Sequence, residues 1–378
     1  MSARIVLASA AMKASQGIRS KRTFVCAVMG KNQQPSNDQA GRRGLNSRRV
    51  TSYDVARLAG VSQSAVSRCF KPGGSASAKT RERVLAAAKE LGWQPNALAR
   101  GLITQQSNLI AVLISGSVNL YYPEVLFTLT QRLSDEKLRV LLFTVDREDD
   151  VGPVLDQISQ FQVDAVISAS HMKREDADRF EEQQTPVIFF NRFFEDRSSD
   201  VVLCDPEAQT RQLIQTLTAQ GHTHFGVVSG PDNNMVSRTR LKGVRAAVDS
   251  HGGTIVANAA GDFTYESGAK AVHELMSSQP RPTAIICAND MMALGLIDEA
   301  RTILGLRVPD DLSVTGYDGI AAGRLSSYEL TTIRQPIGRM CDAVVSMLKE
   351  QSERPERTYE KRVFEGLLIE GATIGPAP

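Results

Sequence analysis

A short predicted helix carries four polar residues whose side chains have the chemistry of DNA recognition. They are Gln63, Ser64, Ser67 and Arg68. An arginine can donate two hydrogen bonds to guanine O6 and N7, and a glutamine can pair with N6 and N7 of adenine. Serine hydroxyls and the helix N-terminus suit phosphate oxygens. The pattern therefore indicates a helix that contacts DNA, and a small helical bundle with a solvated polar face is the alternative.

The residues around this helix predict three short helices joined by tight connections. Thr51 begins a capping-box pattern for a helix over 52–59, and Ser62 suits the N-cap of a second helix that ends near residue 70. Ser77 suits the N-cap of a third helix. A helix, a tight turn and a second helix form the arrangement that places the second helix in the major groove.

From residue 109 onward, short apolar runs alternate with stretches of helical periodicity. The runs cover 109–114, 140–145, 165–169, 187–190, 225–229, 284–288 and 312–315, and helices are predicted near 123–136, 151–161, 206–220, 238–250, 266–278, 290–304 and 336–350. Continuous apolar strands between helices indicate parallel sheets covered on both faces. This stretch exceeds one average domain, so two α/β lobes are expected. Ligands of such sheets lie beyond the carboxyl ends of the strands, which here means a cleft between the lobes.

Charge is distributed unevenly along the 378 residues. Residues 1–50 carry ten Lys/Arg and one Asp, residues 51–104 carry eight Lys/Arg and three Asp/Glu, and residues 105–378 carry 26 Lys/Arg and 38 Asp/Glu. A basic front joined to an acidic body indicates a polyanion-binding module attached to a second functional unit.

Several functional classes do not fit this sequence. Its five cysteines are scattered and form no C-x-x-C pair, which argues against a disulfide framework or a structural zinc site and favours a reducing compartment. No apolar run reaches the roughly 18 residues that a membrane span needs. Motifs for nucleotide binding, serine hydrolysis and zinc proteolysis are missing, so no enzyme, cofactor or metal site is expected.

The front module contains the elements D-V-A-x-x-A-G-V-S, V-S-R, S-x-x-T-R-x-R-V, E-L-G-W-x-P-N and A-x-A-R-x-L. The body contains Cys287-Ala-Asn-Asp-Met-Met-Ala-Leu-Gly, Gly316-Tyr-Asp and Leu330-Thr-Thr-Ile-Arg-Gln-Pro. In these elements and their spacing, the sequence from Thr51 to about residue 376 resembles the lactose and galactose repressor (LacI/GalR) family of bacterial transcription regulators.

The resemblance implies roles for residues of the front module. Base-reading positions are occupied by Gln63, Ser64 and Arg68, and phosphate contacts are expected from Thr51, Tyr53, Ser62 and Ser67. The following segment matches a hinge helix, with minor-groove contacts expected from Asn96, Ala99 and Leu102. Leu102 would be an apolar wedge that unstacks a flexible base step, and an ordinary linker leucine is the alternative.

The resemblance also implies an effector site between the lobes. Arg240, Asn289 and Asp318 match positions that contact polar groups of the effector. Phe263 matches a stacking position, and the remaining members of the expected set are Tyr121, Tyr122, Arg192 and Gln335. Such residues suit a polyhydroxylated ligand. Arg192 and Arg238 would favour a sugar acid, unless they form only surface ion pairs.

The expected fold is a small all-α helix-turn-helix headpiece followed by a two-lobed α/β body of the periplasmic-binding-protein type, with parallel sheets covered by helices on both faces. Four divisions are predicted: a basic N-terminal extension expected to be disordered (1–48), the DNA-binding domain (49–94), the hinge helix and linker (95–106) and the effector-binding and dimerisation domain (107–378). The lobes are expected to cross over near residue 191 and within 320–336.

The sequence therefore predicts a sequence-specific transcription regulator, a repressor, gated by a sugar or sugar acid. It would bind a pseudo-palindromic operator in double-stranded DNA as a homodimer, in the bacterial cytoplasm at the nucleoid, with no membrane partner. Two alternatives stay open: a DNA-binding regulator that does not respond to ligand, and a sugar-binding protein of the extracytoplasmic type.

Overall fold

The structure is a computed structural model that describes residues 50–71, 73–95, 106–115, 120–145, 151–194, 198–353 and 358–378. The predicted extension over 1–48 lies outside the described residues, as do the predicted minor-groove contacts from Asn96, Ala99 and Leu102. The described chain consists of a helical headpiece and a body of two α/β lobes, so the predicted fold class is confirmed.

The headpiece contains three helices packed around a small apolar core. They are α1 (Ser52–Ala59), α2 (Gln63–Cys69) and α3 (Ala78–Glu90). All three contribute to the core, which consists of Val55, Ala56, Ala59, Val66, Cys69, Val84, Ala87 and Ala88. The ring of Phe70 packs edge-on against Trp93 at a centroid distance of 5.3 Å, which joins the end of α2 to the segment after α3.

The capping residues predicted from the sequence begin α1 and α2. Oδ2 of Asp54 accepts hydrogen bonds from N and Oγ1 of Thr51 at 3.0 and 2.8 Å. Oγ of Ser62 accepts one from N of Ala65 at 3.3 Å. Gly60 has a φ of +63°, the left-handed conformation that glycine adopts without steric cost, and it ends α1. The tight turn between the two helices is therefore determined by local sequence.

The first lobe is built on a parallel sheet with the strand order β11-β5-β4-β3-β1-β2. Its strands are β1 (Leu109–Ser115), β2 (Arg139–Val145), β3 (Ala165–Ser168), β4 (Val187–Phe190), β5 (Asp200–Asp205) and β11 (Lys361–Glu365). Its helices are α4 (Tyr121–Asp135), α5 (Gly152–Gln160), α6 (Arg174–Glu182) and α11 (Ile337–Glu353). Every residue of β3 and β4 is buried, as expected for strands covered on both faces.

The second lobe repeats this arrangement with the strand order β12-β10-β9-β8-β6-β7. Its strands are β6 (His224–Ser229), β7 (Thr254–Ala260), β8 (Ala284–Cys287), β9 (Ser313–Asp318), β10 (Thr331–Arg334) and β12 (Leu367–Ile369). Its helices are α7 (Glu207–Ala219), α8 (Met235–Ser250), α9 (Tyr265–Met276) and α10 (Asp290–Thr302). The edge strand β12 runs antiparallel to β10, so this sheet is not wholly parallel.

Within the described ranges, the chain passes between the lobes after β5, after β10 and after β11. The predicted crossing near residue 191 is wrong by one strand, because β5 pairs with both β4 and β11 and still belongs to the first lobe. The crossing expected within 320–336 lies at the end of that range, at 335–336. The sequence did not reveal β5 because its apolar stretch is short and lies between Asp200 and Asp205.

Candidate DNA interface and effector cleft

The outward face of α2 presents most of the residues predicted to read bases. Ser64, Ser67 and Arg68 are exposed, while the opposite side of the helix is buried in the headpiece core. Gln63 is partly buried, and its Nε2 donates to Oγ of Ser52 at 3.4 Å. Such a face can place donors and acceptors against base edges in a major groove. The base contacts of Gln63, Ser64 and Arg68 and the phosphate contact of Ser67 stay predictions.

The other residues predicted to contact phosphate lie at the N-termini of α1 and α2. Tyr53 is 71% exposed, so its phenol is available to a partner. Oγ1 of Thr51 donates to Asp54, and Oγ of Ser62 caps α2 and lies 3.0 Å from Oγ of Ser64. These two hydroxyls therefore stabilise helix ends in addition to any phosphate contact, which stays a prediction.

Arg240 lies within α8 and Tyr122 within α4, and the other six predicted effector residues lie at the carboxyl ends of strands in the two lobes. In chain order they are Tyr121 after β1, Arg192 after β4, Phe263 after β7, Asn289 after β8, Asp318 at the end of β9 and Gln335 after β10. The carboxyl edge of a parallel sheet is where loops and helix N-termini converge on a ligand. The structure therefore places these residues at the edge that the sequence predicted.

Gln335 links the two lobes through its side-chain amide. Its Oε1 accepts hydrogen bonds from the phenol of Tyr121 at 2.9 Å and from Nδ2 of Asn191 at 2.8 Å, and both residues belong to the first lobe. Its Nε2 donates to Oδ1 of Asp318 in the second lobe at 2.9 Å. Gln335 is only 1% exposed, so these hydrogen bonds form away from water.

Arg240 and Asp318 form a buried ion pair on the second-lobe side of this link. Nη2 of Arg240 donates to Oδ1 of Asp318 at 2.8 Å, and Nη1 donates to the carbonyl of Ala288 at 2.6 Å. The guanidinium carbon lies 3.5 Å from the centroid of the Tyr317 ring, which is a cation–π contact. Removing either charge would leave the other buried without compensation.

Asn289 and Phe263 support each other beside the ion pair. Oδ1 of Asn289 accepts from N of Met292 at 3.0 Å, which caps α10, and its Nδ2 donates to the carbonyl of Phe263 at 2.9 Å. Phe263 has a φ of +69°, and its ring lies directly over Gly230, where a side chain larger than hydrogen would collide with it. Asn289 therefore holds the backbone of Phe263, and the ring expected to stack on a ligand packs against Gly230.

The side chains of Tyr122 and Arg192 donate to backbone oxygens of the first lobe, and the ring of Tyr122 packs edge-on against that of Tyr121 at a centroid distance of 5.5 Å. The phenol of Tyr122 donates to the carbonyl of Ala169 at 3.3 Å. Nη1 of Arg192 donates to the carbonyl of Asn191 at 3.0 Å, and Arg192 is 8% exposed. Arg192 is therefore buried and does not lie on the surface, where the alternative interpretation placed it. Its contact with a ligand stays a prediction.

Sequence reasoning did not identify Asn191 and Tyr317 as members of the cleft. Asn191 follows β4 directly and has a φ of +53°, and its Nδ2 lies 3.2 Å from the phenol oxygen of Tyr121. Tyr317 precedes Asp318 at the end of β9 and lies beneath Arg240. Both stand at carboxyl ends of strands, which is the signal that could have identified them.

A buried carboxylate supports the cleft from behind. Oδ2 of Asp290 accepts from N of Ile320 at 2.8 Å, and Oδ1 accepts from Oγ1 of Thr332 at 2.5 Å. Burial and the nearby charge of Asp318 raise the pKa of Asp290 to about 7. The bond from Ile320 holds the chain just after Asp318, and the bond from Thr332 ties it to β10. Asp318 itself has a φ of +119°, which is unusual for a residue other than glycine.

The cleft offers no activated nucleophile among its described residues. Cys204 lies beside Tyr317, and burial raises the pKa of its thiol to about 11, so the thiol remains protonated near neutral pH. Across the described ranges, no group of three or more His, Cys, Asp or Glu side chains is arranged to hold a metal ion. Among the described helices, none has the length and apolar character needed to cross a membrane.

Comparison with known proteins places both parts of the chain. The model for bacterial regulatory proteins of the lacI family matches residues 51–96, and a periplasmic binding protein-like domain matches residues 214–374. Catabolite control protein A of Priestia megaterium is 31% identical over 293 residues, which cover 76% of this chain and 88% of that protein. The ribose operon repressor of Escherichia coli (strain K12) is 30% identical over 328 residues, which cover 85% of this chain and 98% of that protein.

Solved structures agree with this relationship. A crystal structure of the lac repressor dimer bound to operator and the anti-inducer ONPF has a TM-score of 0.78 at 28% identity, covering 87% of this chain and 100% of that one. A complex of the transcriptional regulator CelR with cellobiose has a TM-score of 0.65 at 26% identity, covering 86% of this chain and 100% of that one.

A helix-turn-helix headpiece joined to a two-lobed ligand-binding body defines a DNA-binding transcription regulator that responds to a small molecule. The chain belongs to the lacI family of bacterial regulatory proteins. Its relatives are transcriptional repressors rather than enzymes.

Proposed function

We propose that this regulator is a repressor whose affinity for operator DNA is set by a sugar or sugar acid bound between the lobes. The observation that carries the proposal is the buried chain of hydrogen bonds from Tyr121 through Gln335 and Asp318 to Arg240, which joins the two lobes. A ligand that competes for these groups changes how the lobes are held together. It thereby shifts the equilibrium between lobe arrangements by as much as its affinities for them differ.

The chemistry of the cleft supports a polyhydroxylated ligand. Each hydroxyl of a sugar both donates and accepts, so it can replace the mixed donors and acceptors that now satisfy Gln335 and Asp318. The ring of Phe263 can stack on the apolar face of a sugar ring. The ion pair of Arg240 and Asp318 is neutral as a unit and suits a neutral sugar, whereas the buried Arg192 would add affinity for a carboxylate.

On the DNA side, two copies of the headpiece would bind the half-sites of a pseudo-palindrome in a homodimer. The exposed side chains of Ser64 and Arg68, together with Gln63, would read bases, and Leu102 would act as a minor-groove wedge. The similarity of this chain to the lac repressor dimer bound to operator supports this assignment. We place the protein in the bacterial cytoplasm, associated with the nucleoid where its target lies.

The proposal can be tested with the full-length protein in two stages. Operator sequences are first selected from random duplexes, and neutral sugars and their aldonic acids are then screened by calorimetry. A ligand that binds should change the operator Kd by about 5- to 150-fold, the usual range of allosteric coupling. Arg192→Gln should weaken the binding of acids and leave neutral sugars unchanged if the effector is an acid.

Two results would favour other functions. A protein that selects an operator but binds no ligand, or binds one without any change in operator Kd, would be the ligand-unresponsive regulator. A protein that binds sugars and selects no DNA sequence would be a sugar-binding protein, although the lacI-family match over residues 51–96 argues against it.

A further inference from the structure

The carboxylate of Asp164 holds the two residues that connect the body to the segment leading to the headpiece. Oδ1 of Asp164 accepts hydrogen bonds from N and Oγ of Ser107, each at 2.8 Å. Oδ2 accepts one from N of Asn108, also at 2.8 Å. Both oxygens of one carboxylate are therefore committed to the chain immediately before β1.

Further bonds fix the same segment to the neighbouring strands. Oγ of Ser107 also accepts from N of Leu109 at 3.2 Å, and N of Asp164 donates to the carbonyl of Leu109 at 2.8 Å. The carbonyl of Asn108 accepts from N of Arg139 at 2.8 Å, and Asn108 has a φ of +54°. The chain thus turns sharply in a fixed direction as it enters the sheet.

This attachment lies at the amino edge of the first-lobe sheet, opposite the cleft. Ser107 and Asn108 precede β1, and Asp164 precedes β3, which pairs with β1 in parallel. The cleft residues lie at the carboxyl edge of the same sheet. A rigid sheet therefore separates the proposed effector site from the point where the chain leaves for the headpiece.

We infer that Asp164 is a positioning residue for DNA binding, which transmits the orientation of the first lobe to the headpiece. Hydrogen bonds to an ionised carboxylate are about twice as strong as neutral ones, so three of them fix the direction of the chain. Without them Ser107 and Asn108 are no longer held to the first lobe, and the headpieces of a dimer lose their defined spacing and orientation. The inference rests on the proposed regulator function and adds the route by which the body acts on DNA.

The test uses the full-length protein and measures Kd for a selected operator and for a scrambled duplex, without any effector. Asp164→Ala should raise the Kd for the operator about tenfold or more. It should leave the Kd for the scrambled duplex within about twofold of the wild-type value, since orientation matters only for a specific two-site contact. Ser107→Ala removes one of the three bonds and should produce a smaller loss in the same direction.

Asp311 supplies the matched control. Its carboxylate accepts three hydrogen bonds from Arg307, at 2.8, 3.0 and 2.7 Å, in the second lobe. Asp311→Ala should leave the Kd for both duplexes unchanged. Its melting temperature measures the stability lost with a carboxylate that accepts three hydrogen bonds. The inference is overturned if Asp164→Ala binds DNA as Asp311→Ala does, or if it loses affinity equally on both duplexes. If Asp164→Ala does not fold, unchanged operator selectivity in Ser107→Ala overturns it.

The result is independent of effector gating, because no ligand is present. A wild-type protein that binds ligand without any change in operator Kd would refute the proposed gating while leaving the Asp164 comparison intact.

Discussion

The phenol of Tyr121 donates a hydrogen bond of 2.9 Å to Oε1 of Gln335, which lies 214 residues further along the chain. Tyr121 begins the first helix of the first lobe, and Gln335 lies where the chain crosses back from the second lobe. The same glutamine donates to Asp318, the partner of Arg240. Gln335 therefore forms hydrogen bonds with both lobes. Each lobe loses a hydrogen-bond partner if this side chain is replaced.

Gln335→Ala should abolish most of the response of operator binding to ligand. The variant leaves Asp318 and Tyr121 each without one buried partner, which costs about 1–3 kcal/mol per group. The measurement is the ratio of operator Kd with and without the ligand found by screening, which should fall towards one.

Gln351→Ala is the matched control for this prediction. Nε2 of Gln351 donates to Oδ2 of Asp200 at 2.6 Å, but both residues belong to the first lobe. Gln351→Ala should lower the free energy of unfolding and leave the response of operator binding to ligand unchanged. Loss of the response in both variants, or in neither, would contradict the role given to Gln335.

Asp318→Asn should lower the free energy of unfolding by about 3–5 kcal/mol, because it leaves the buried charge of Arg240 without compensation. Urea denaturation measures the change. The exposed pair of Arg307 and Asp311 is the control, and Asp311→Asn should cost much less stability than Asp318→Asn. Equal costs at the two sites would show that Arg240 and Asp318 do not behave as a buried pair.

Much of the fold and the position of the site could be predicted from the sequence because local signals agree with the tertiary structure. Ser62 and Thr51 begin helices where capping chemistry predicts, and the cleft lies at the carboxyl ends of the strands. The strand β5 was missed because a short apolar stretch between acidic residues resembles a loop. Its place in the sheet depends on pairing with β11, some 160 positions away in the chain.

Membership of the cleft could not be predicted residue by residue because backbone direction decides which side chain enters it. Adjacent strand residues normally point to opposite faces, yet both Tyr317 and Asp318 contact Arg240. The φ of +119° at Asp318 departs from strand geometry and makes this possible. The φ of +53° at Asn191 similarly turns the chain after β4, so that the Asn191 side chain bonds to Gln335.

Arg68→Ala should weaken binding to the selected operator by about 1–3 kcal/mol and relax the choice of base at one position in each half-site. Repeating the site selection with the variant measures both effects. Arg57→Ala removes an equally charged, exposed residue of α1 and is the control, with a small loss that is the same on every sequence. An equal loss on operator and random DNA in Arg68→Ala would contradict base readout.

The stability of the second lobe should fall as the pH drops below the ordinary pKa of histidine, because of His222. Its ring is buried between Oγ1 of Thr283 at 2.8 Å and the carbonyl of Gly375 at 2.9 Å, and burial lowers its pKa from 6.5. The unfolded chain therefore binds a proton at a higher pH than the folded chain does, so stability rises with pH through this range.

Urea denaturation between about pH 8 and about pH 5.5 tests this sign. His222→Gln should remove part of the pH dependence, whereas His224→Gln, on the adjacent strand β6, should retain it. A wild-type protein that became more stable as the pH fell, with the trend abolished by His222→Gln, would contradict the assignment.

The most direct test of ligand-gated DNA binding is reciprocal linkage between the two sites. The ligand identified by screening is titrated by calorimetry into free protein and into protein saturated with operator. Linkage requires its Kd to change by the same factor by which it changes the operator Kd, and this equality is the predicted result. A ligand Kd that is identical on free and operator-bound protein would contradict the account.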